Sequence, residues 1–104
     1  MENFKAIYKI LKCLKESMDN IEIDLTGITH QYLKISYSRW ECLMIMIVDE
    51  GCVDGVEYIY TPIDGRKHIN NIRDIRITLD GLEYLAENYM MRKAAKMVEA
   101  DENK

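Results

Sequence analysis

The stretch that decides the fold is SRWECLMIMIVDEGCVDGVEYIYTPIDGRKHIN, residues 38–70. It reads as a helix followed by a hairpin. Ser38-Arg39-Trp40-Glu41 matches the capping box, in which a serine oxygen accepts an early backbone N–H and the glutamate reaches back to another. Trp40, Leu43, Met44, Ile47 and Val48 then recur at helical spacing, which predicts one buried stripe. Gly51, after Asp49-Glu50, is a stop signal, because a left-handed terminal residue suits glycine. Val53 to Tyr60 is rich in β-branched and aromatic residues, with Val56, Tyr58 and Tyr60 alternating with Glu57 and Ile59. Thr61-Pro62-Ile63-Asp64-Gly65 is a turn cluster, and Asp-Gly is its strongest dipeptide. A return strand through Arg66 to Ile72 closes the expected hairpin, and a short extended piece, Ile75 to Ile77, leads on.

Upstream, a first helix is expected from Asn3 to Met18, with Asn3 as its cap. Phe4, Ile7, Tyr8, Leu11, Leu14 and Met18 form its apolar stripe, and Lys5, Lys9 and Lys12 collect on another side. Ile21 to Leu25 alternates apolar and polar, as a short half-buried strand does. A short helix follows from Thr29, its cap, to Lys34. Downstream, Thr78 is the expected cap of a helix whose Leu82, Leu85, Ala86 and Tyr89 face the core, with Asn88 as an interruption. A last segment, Met90 to Ala100, carries Met90, Met91, Met97 and Val98. The predicted order is helix, strand, helix, helix, strand, turn, strand, helix. That is the order of a winged helix, an α+β fold in which a helix-turn-helix carries a small antiparallel hairpin as its wing, here with an extra C-terminal helix. The expected domain is residues 1–98, with a polar tail over 99–104.

Two resemblances support that order. Ile77-Thr78-Leu79-Asp80-Gly81-Leu82-Glu83-Tyr84-Leu85 resembles the Thr-x-x-Gly-x-x-Tyr-Leu signature that follows the wing in many bacterial winged-helix regulators. The pieces NFKAIYKILKCLKESMD, SRWECLMIMIVDEGCVDGV and RITLDGLEYLAENYMMRKA resemble the YjcQ family of small bacterial and phage proteins. The stretch Ile59 to Asp74 is outside these pieces. The second resemblance implies a winged-helix fold and no activity or residue roles.

The 104 residues carry a net charge of −4, one proline and five glycines. That composition suits a single folded unit and weighs against a dedicated non-specific nucleic-acid binder, which is usually basic. The longest apolar run, Cys42 to Val48, is far below the roughly 18 residues of a membrane span. No signal-peptide pattern opens the chain, so a cytoplasmic protein is expected. Cys13, Cys42 and Cys52 lack metal or disulfide spacing and read as small apolar residues. His30 and His68 stand near no nucleophile motif, and no phosphate loop, dinucleotide motif or metal-ligand spacing occurs. The expectation is a non-enzyme without cofactor or metal.

Two binding modes remain. For double-stranded DNA, the candidates are Lys34, Tyr37, Ser38 and Arg39 around the start of the third helix, and Arg66, Lys67, His68 and Arg73 along the wing. Cationic and hydroxyl side chains hold phosphates, and a wing can enter the minor groove. From Arg66 to Arg76, four lysines and arginines face one aspartate. Against this, the outward face of the third helix offers Arg39 with Glu41 and Asp49 among Cys42, Ile45 and Met46, a composition better suited to protein contact. For a protein partner, the candidates are Cys42, Ile45 and Met46 with Met90, Met91 and Met97. The C-terminal methionines suit either a homodimer contact or packing on the first helix.

Overall fold

The computed structural model describes residues 1–103. Its first helix, α1 (Glu2–Glu16), buries Ala6, Ile7, Tyr8, Ile10, Leu11 and Leu14 on one face. Met1 holds the N-cap position without a side-chain bond, so Asn3 lies inside the helix rather than capping it. The helix tightens into a 3-10 turn at Ser17–Asp19, where the Ser17 hydroxyl donates to the Cys13 carbonyl at 2.8 Å. Met18 falls in this turn and is exposed, not part of the stripe.

The expected strand over Ile21 to Leu25 does not form. The Asp24 carboxylate accepts the Thr26 N–H at 3.0 Å and starts a second 3-10 turn, Leu25–Ile28, while Ile21 stands in solvent. Alternation makes a strand only where a partner strand is available. The short helix α2 (His30–Leu33) is capped by the Thr29 hydroxyl, which accepts the Tyr32 N–H at 3.2 Å. It ends on Lys34 in the left-handed region, at φ 58°.

Helix α3 (Tyr37–Asp49) buries Trp40, Leu43, Met44 and Ile47, the stripe that the spacing predicts, with Val48 half-buried. The Trp40 indole N–H donates to the Ile28 carbonyl at 2.7 Å, which ties α3 to the turn before α2. The cap differs from the expected one. Ser36, not Ser38, accepts the Arg39 N–H, at 3.1 Å. Glu41 is therefore too far along the helix to reach back in a capping box. Gly51 follows the helix at φ 79°, as a terminating glycine does.

The expected hairpin forms, but the β-rich run from Val53 to Tyr60 is divided between two separate ladders. β1 (Val53–Asp54) pairs antiparallel with β4 (Arg76–Ile77), and β2 (Glu57–Tyr60) pairs antiparallel with β3 (Lys67–Asn71). Gly55 divides them. Its φ is 80°, and a Cβ there would overlap the Asp74 carbonyl oxygen. The break is thus where two backbone segments cross closely, a position open only to glycine.

Helix α4 (Leu79–Glu87) starts at Thr78, whose hydroxyl accepts the Gly81 N–H at 3.0 Å and donates to the Gly51 carbonyl. Gly81 is buried against the Cys52 carbonyl, so the Thr-x-x-Gly pattern both caps α4 and docks it on the end of α3. Leu82, Tyr84 and Leu85 are half-buried; Ala86 and Tyr89, expected inside, are exposed. Asn88 ends α4 and caps α5 (Tyr89–Glu102), accepting the Met90 and Met91 N–H groups at 3.0 and 3.1 Å. Helix α5 lies along α1 and α4 and continues through Glu102, so most of the expected tail over 99–104 is helical; Lys104 lies outside the described residues.

Candidate functional site

The hairpin of β2 and β3 docks on α3 through polar side chains. Glu41, on α3, is the centre of the contact. One carboxylate oxygen faces His68 Nδ1 at 2.8 Å and the other accepts the Ile69 N–H at 3.0 Å. The other His68 nitrogen, Nε2, faces Asp64 in the hairpin turn at 2.8 Å. A neutral imidazole has one N–H donor, so only the imidazolium satisfies two carboxylates at once. Hydrogen bonding to Asp64, and next to Glu41, pushes His68 above the ordinary histidine value. Two turns further along α3, Asp49 lies 3.6 Å from the Lys67 ammonium, which also sits 4.4 Å over the Tyr58 ring.

This arrangement divides the DNA candidates. Lys67 and His68 are engaged by carboxylates of α3 and of the turn, and hold the hairpin in place. The same contacts occupy Glu41 and Asp49, so both carboxylates expected on the outward face of α3 are matched by cations. Arg73 is bound to the Asn71 side-chain oxygen at 3.2 Å through its Nε. Among the described residues, Arg39 and Arg66 are exposed and have no carboxylate within ion-pair distance. Tyr37 and Ser38 stand in the first turn of α3, where a helix leaves backbone N–H groups free. The Tyr37 ring packs edge-on to His30 and tilted against Trp40. Lys34 lies on the wall of an open groove with Lys9 and Lys12, between α1, α2 and the end of α5.

The hairpin turn is internally braced. Asp64 Oδ1 accepts the Thr61 hydroxyl at 2.7 Å and the Arg66 N–H at 2.9 Å, and Gly65 takes φ 65°. These hydrogen bonds, the Arg66 N–H first, hold the Asp64 carboxyl down at about 2. Glu41 is the residue that sequence reading misplaced: its match to Ser38-x-x-Glu concealed its contact with a strand 27 positions away.

The partner candidates divide as well. Cys42 and Met46 are exposed on α3, Met46 by 56%, and Ile45 is half-buried. Met91 is 0% exposed and belongs to the core with Ala94 and Val98, because the apolar side of α5 packs on α1; it offers nothing to a partner. Met90 is half-buried and Met97 partly exposed. Burial raises the Cys13 and Cys52 thiols above their ordinary value, which disfavours the reactive thiolate. Among the described residues no group of three or more His, Cys, Asp or Glu side chains is arranged so that it could hold a metal ion, and no helix there is long and apolar enough to cross a membrane.

Five helices with two small antiparallel ladders, the larger one docked on α3, define an α+β protein with a winged-helix-like arrangement. The chain belongs to the YjcQ protein family, whose model matches residues 8–100 and so runs through the hairpin. No curated protein and no solved structure matches it.

Proposed function

We propose that this chain is a non-enzymatic DNA-binding protein, which contacts duplex DNA through the start of α3 and the hairpin as a wing. The observation that carries this reading is the pair Arg39 and Arg66. Both are exposed and free of carboxylates among the described residues, and they stand on two elements that Glu41 and His68 join. Rigid placement of phosphate-binding groups reduces the ordering that binding requires. The acidic residues that would repel phosphate from α3, Glu41 and Asp49, are matched by His68 and Lys67. A net charge of −4 fits modest, local contact rather than a broad basic footprint.

The test is fluorescence anisotropy with random duplex DNA across a salt series. Each phosphate contact contributes about −0.9 to the slope of log affinity against log salt, so two arginines predict a slope near −2. Arg39→Ala and Arg66→Ala should each weaken binding and flatten the slope by about one. Absence of binding at low salt, or binding indifferent to salt, would overturn the reading. A second reading, a protein-interaction surface, rests on Cys42 and Met46, which are exposed one turn apart on the outer side of α3. It predicts that Met46→Asp disrupts function while Arg66→Ala does not.

A further inference from the structure

The tip of the hairpin is apolar where a solvent-facing turn is ordinarily polar. Ile63 is 96% exposed, Tyr60 is 74% exposed, and Pro62 and Ile59 are exposed beside them. A single exposed apolar residue is unremarkable, but four within five positions of one turn form a patch. This patch is held in shape. Thr61 and Arg66 bond to the Asp64 carboxylate, the Gly65 N–H donates to the Thr61 carbonyl at 3.0 Å, and His68 links Asp64 to Glu41 on α3. The brace also turns the one acidic group at the tip away from the role of a repelling charge. Both Asp64 oxygens are occupied, one by hydroxyl and amide donors and the other by His68. Arg66, next to the patch, remains exposed and without a carboxylate partner among the described residues.

A rigid projection that ends in isoleucine and proline, with an unpaired arginine at its base, matches one way of contacting DNA. Minor-groove proteins insert apolar side chains such as isoleucine or proline between base steps, and place arginine in the groove beside them. We infer that the hairpin tip is a minor-groove wedge: Ile63, stiffened by Pro62, enters a base step and kinks the duplex, while Arg66 holds the groove. This rests on the DNA-binding reading and adds to it a mode of contact. It also accounts for the brace, since a tip that moved freely could not transmit the cost of unstacking. The preferred sites would be flexible pyrimidine–purine steps, where unstacking is least costly.

The experiment uses a short duplex with a central TA step and a donor and acceptor dye at its ends. Anisotropy reports binding, and energy transfer reports bending, in the same low-salt solution. The full chain should bind and raise the transfer efficiency. Ile63→Ala should still bind but lose the rise, and Ile63→Leu should keep it. Arg66→Ala should weaken binding and flatten the salt slope by about one. Ile63 is exposed, so both variants at that position should unfold at the wild-type temperature. Binding without any rise, or an Ile63→Ala chain that bends the duplex as the wild type does, would overturn the wedge and leave DNA binding intact. No binding by the wild-type chain would overturn both.

Discussion

His68 is the residue on which the geometry makes the sharpest demand. Its two nitrogens each face a carboxylate at 2.8 Å, Glu41 on α3 and Asp64 in the turn. Hydrogen bonds to Asp64 and Glu41 raise its value above the unfolded one of about 6.5. A raised value means that the protonated ring stabilises the fold. That contribution is fully present below the unfolded value and fades as pH rises through the higher folded value. Asp64 has the opposite sign. Its carboxyl, held down at about 2, supports the turn above the unfolded value of about 3.9, and its support is lost as pH falls through the folded value. The brace should thus be complete between about pH 4 and pH 6.5. An NMR titration should place the His68 ring above an exposed histidine, and Glu41→Gln should bring it down. Thermal unfolding of wild type against His68→Ala should differ more at pH 6 than at pH 9; an equal difference at both would show that the ring acts only by packing.

At the scale of elements, the two serines ahead of α3 separate what a local pattern can and cannot tell. Ser36 accepts the Arg39 N–H, whereas Ser38 is exposed inside the first turn. Losing an N-cap serine costs about 1 kcal/mol, and a solvent-facing serine far less. Ser36→Ala should therefore lower the melting temperature by about 5 °C, and Ser38→Ala should barely move it. The reverse order would restore the capping box. The stripe of α3, the Thr29 and Thr78 caps, the Gly51 stop and the break at Asn88 were legible in the sequence because each depends on neighbours within a turn. What misled were features set by distant partners. Ile21 to Leu25 alternates like a strand but has no strand to pair with, and Asp24 turns it into a 3-10 start. Val53 and Asp54 continue the β-rich run, yet their partners are Ile77 and Arg76 beyond the hairpin. The candidate site was legible as to residue type but not as to pairing: Lys67 and His68 read as free cations because Asp49 and Glu41 approach them only in the folded chain. For Met91 a dimer contact and packing on the first helix are equally open in the sequence, and α5 lying on α1 decides for packing.

The whole molecule is 44 Å long against 28 and 23 Å across, and its two ladders are not one sheet. The core runs through α1, α3 and α5 with Ile28, Val53 and Ile75. The hairpin of β2 and β3 joins this body through Gly55 and Val56 on one side and Ile72 to Ile75 on the other, so no continuous ladder carries stability across the junction. What holds the hairpin down is half-buried Val56, Ile69 and Ile72, together with the Glu41 carboxylate. A two-stranded hairpin alone is at best marginally stable in water. The hairpin should accordingly open without global unfolding, as locally stabilised units do. Glu41→Ala removes the acceptor of the Ile69 N–H and one partner of His68, and leaves the buried side of α3 unchanged. Native-state hydrogen exchange should then quicken at Tyr58 to Tyr60 and Lys67 to Asn71, with the amides of Leu11 and Met44 little affected. Lys67→Ala should do the same more weakly, because an ion pair at 3.6 Å with an exposed aspartate contributes less than about 1 kcal/mol. If Glu41→Ala instead accelerates every amide equally, the hairpin and the helices unfold as one unit, and the carboxylate is part of the global core rather than a latch upon it.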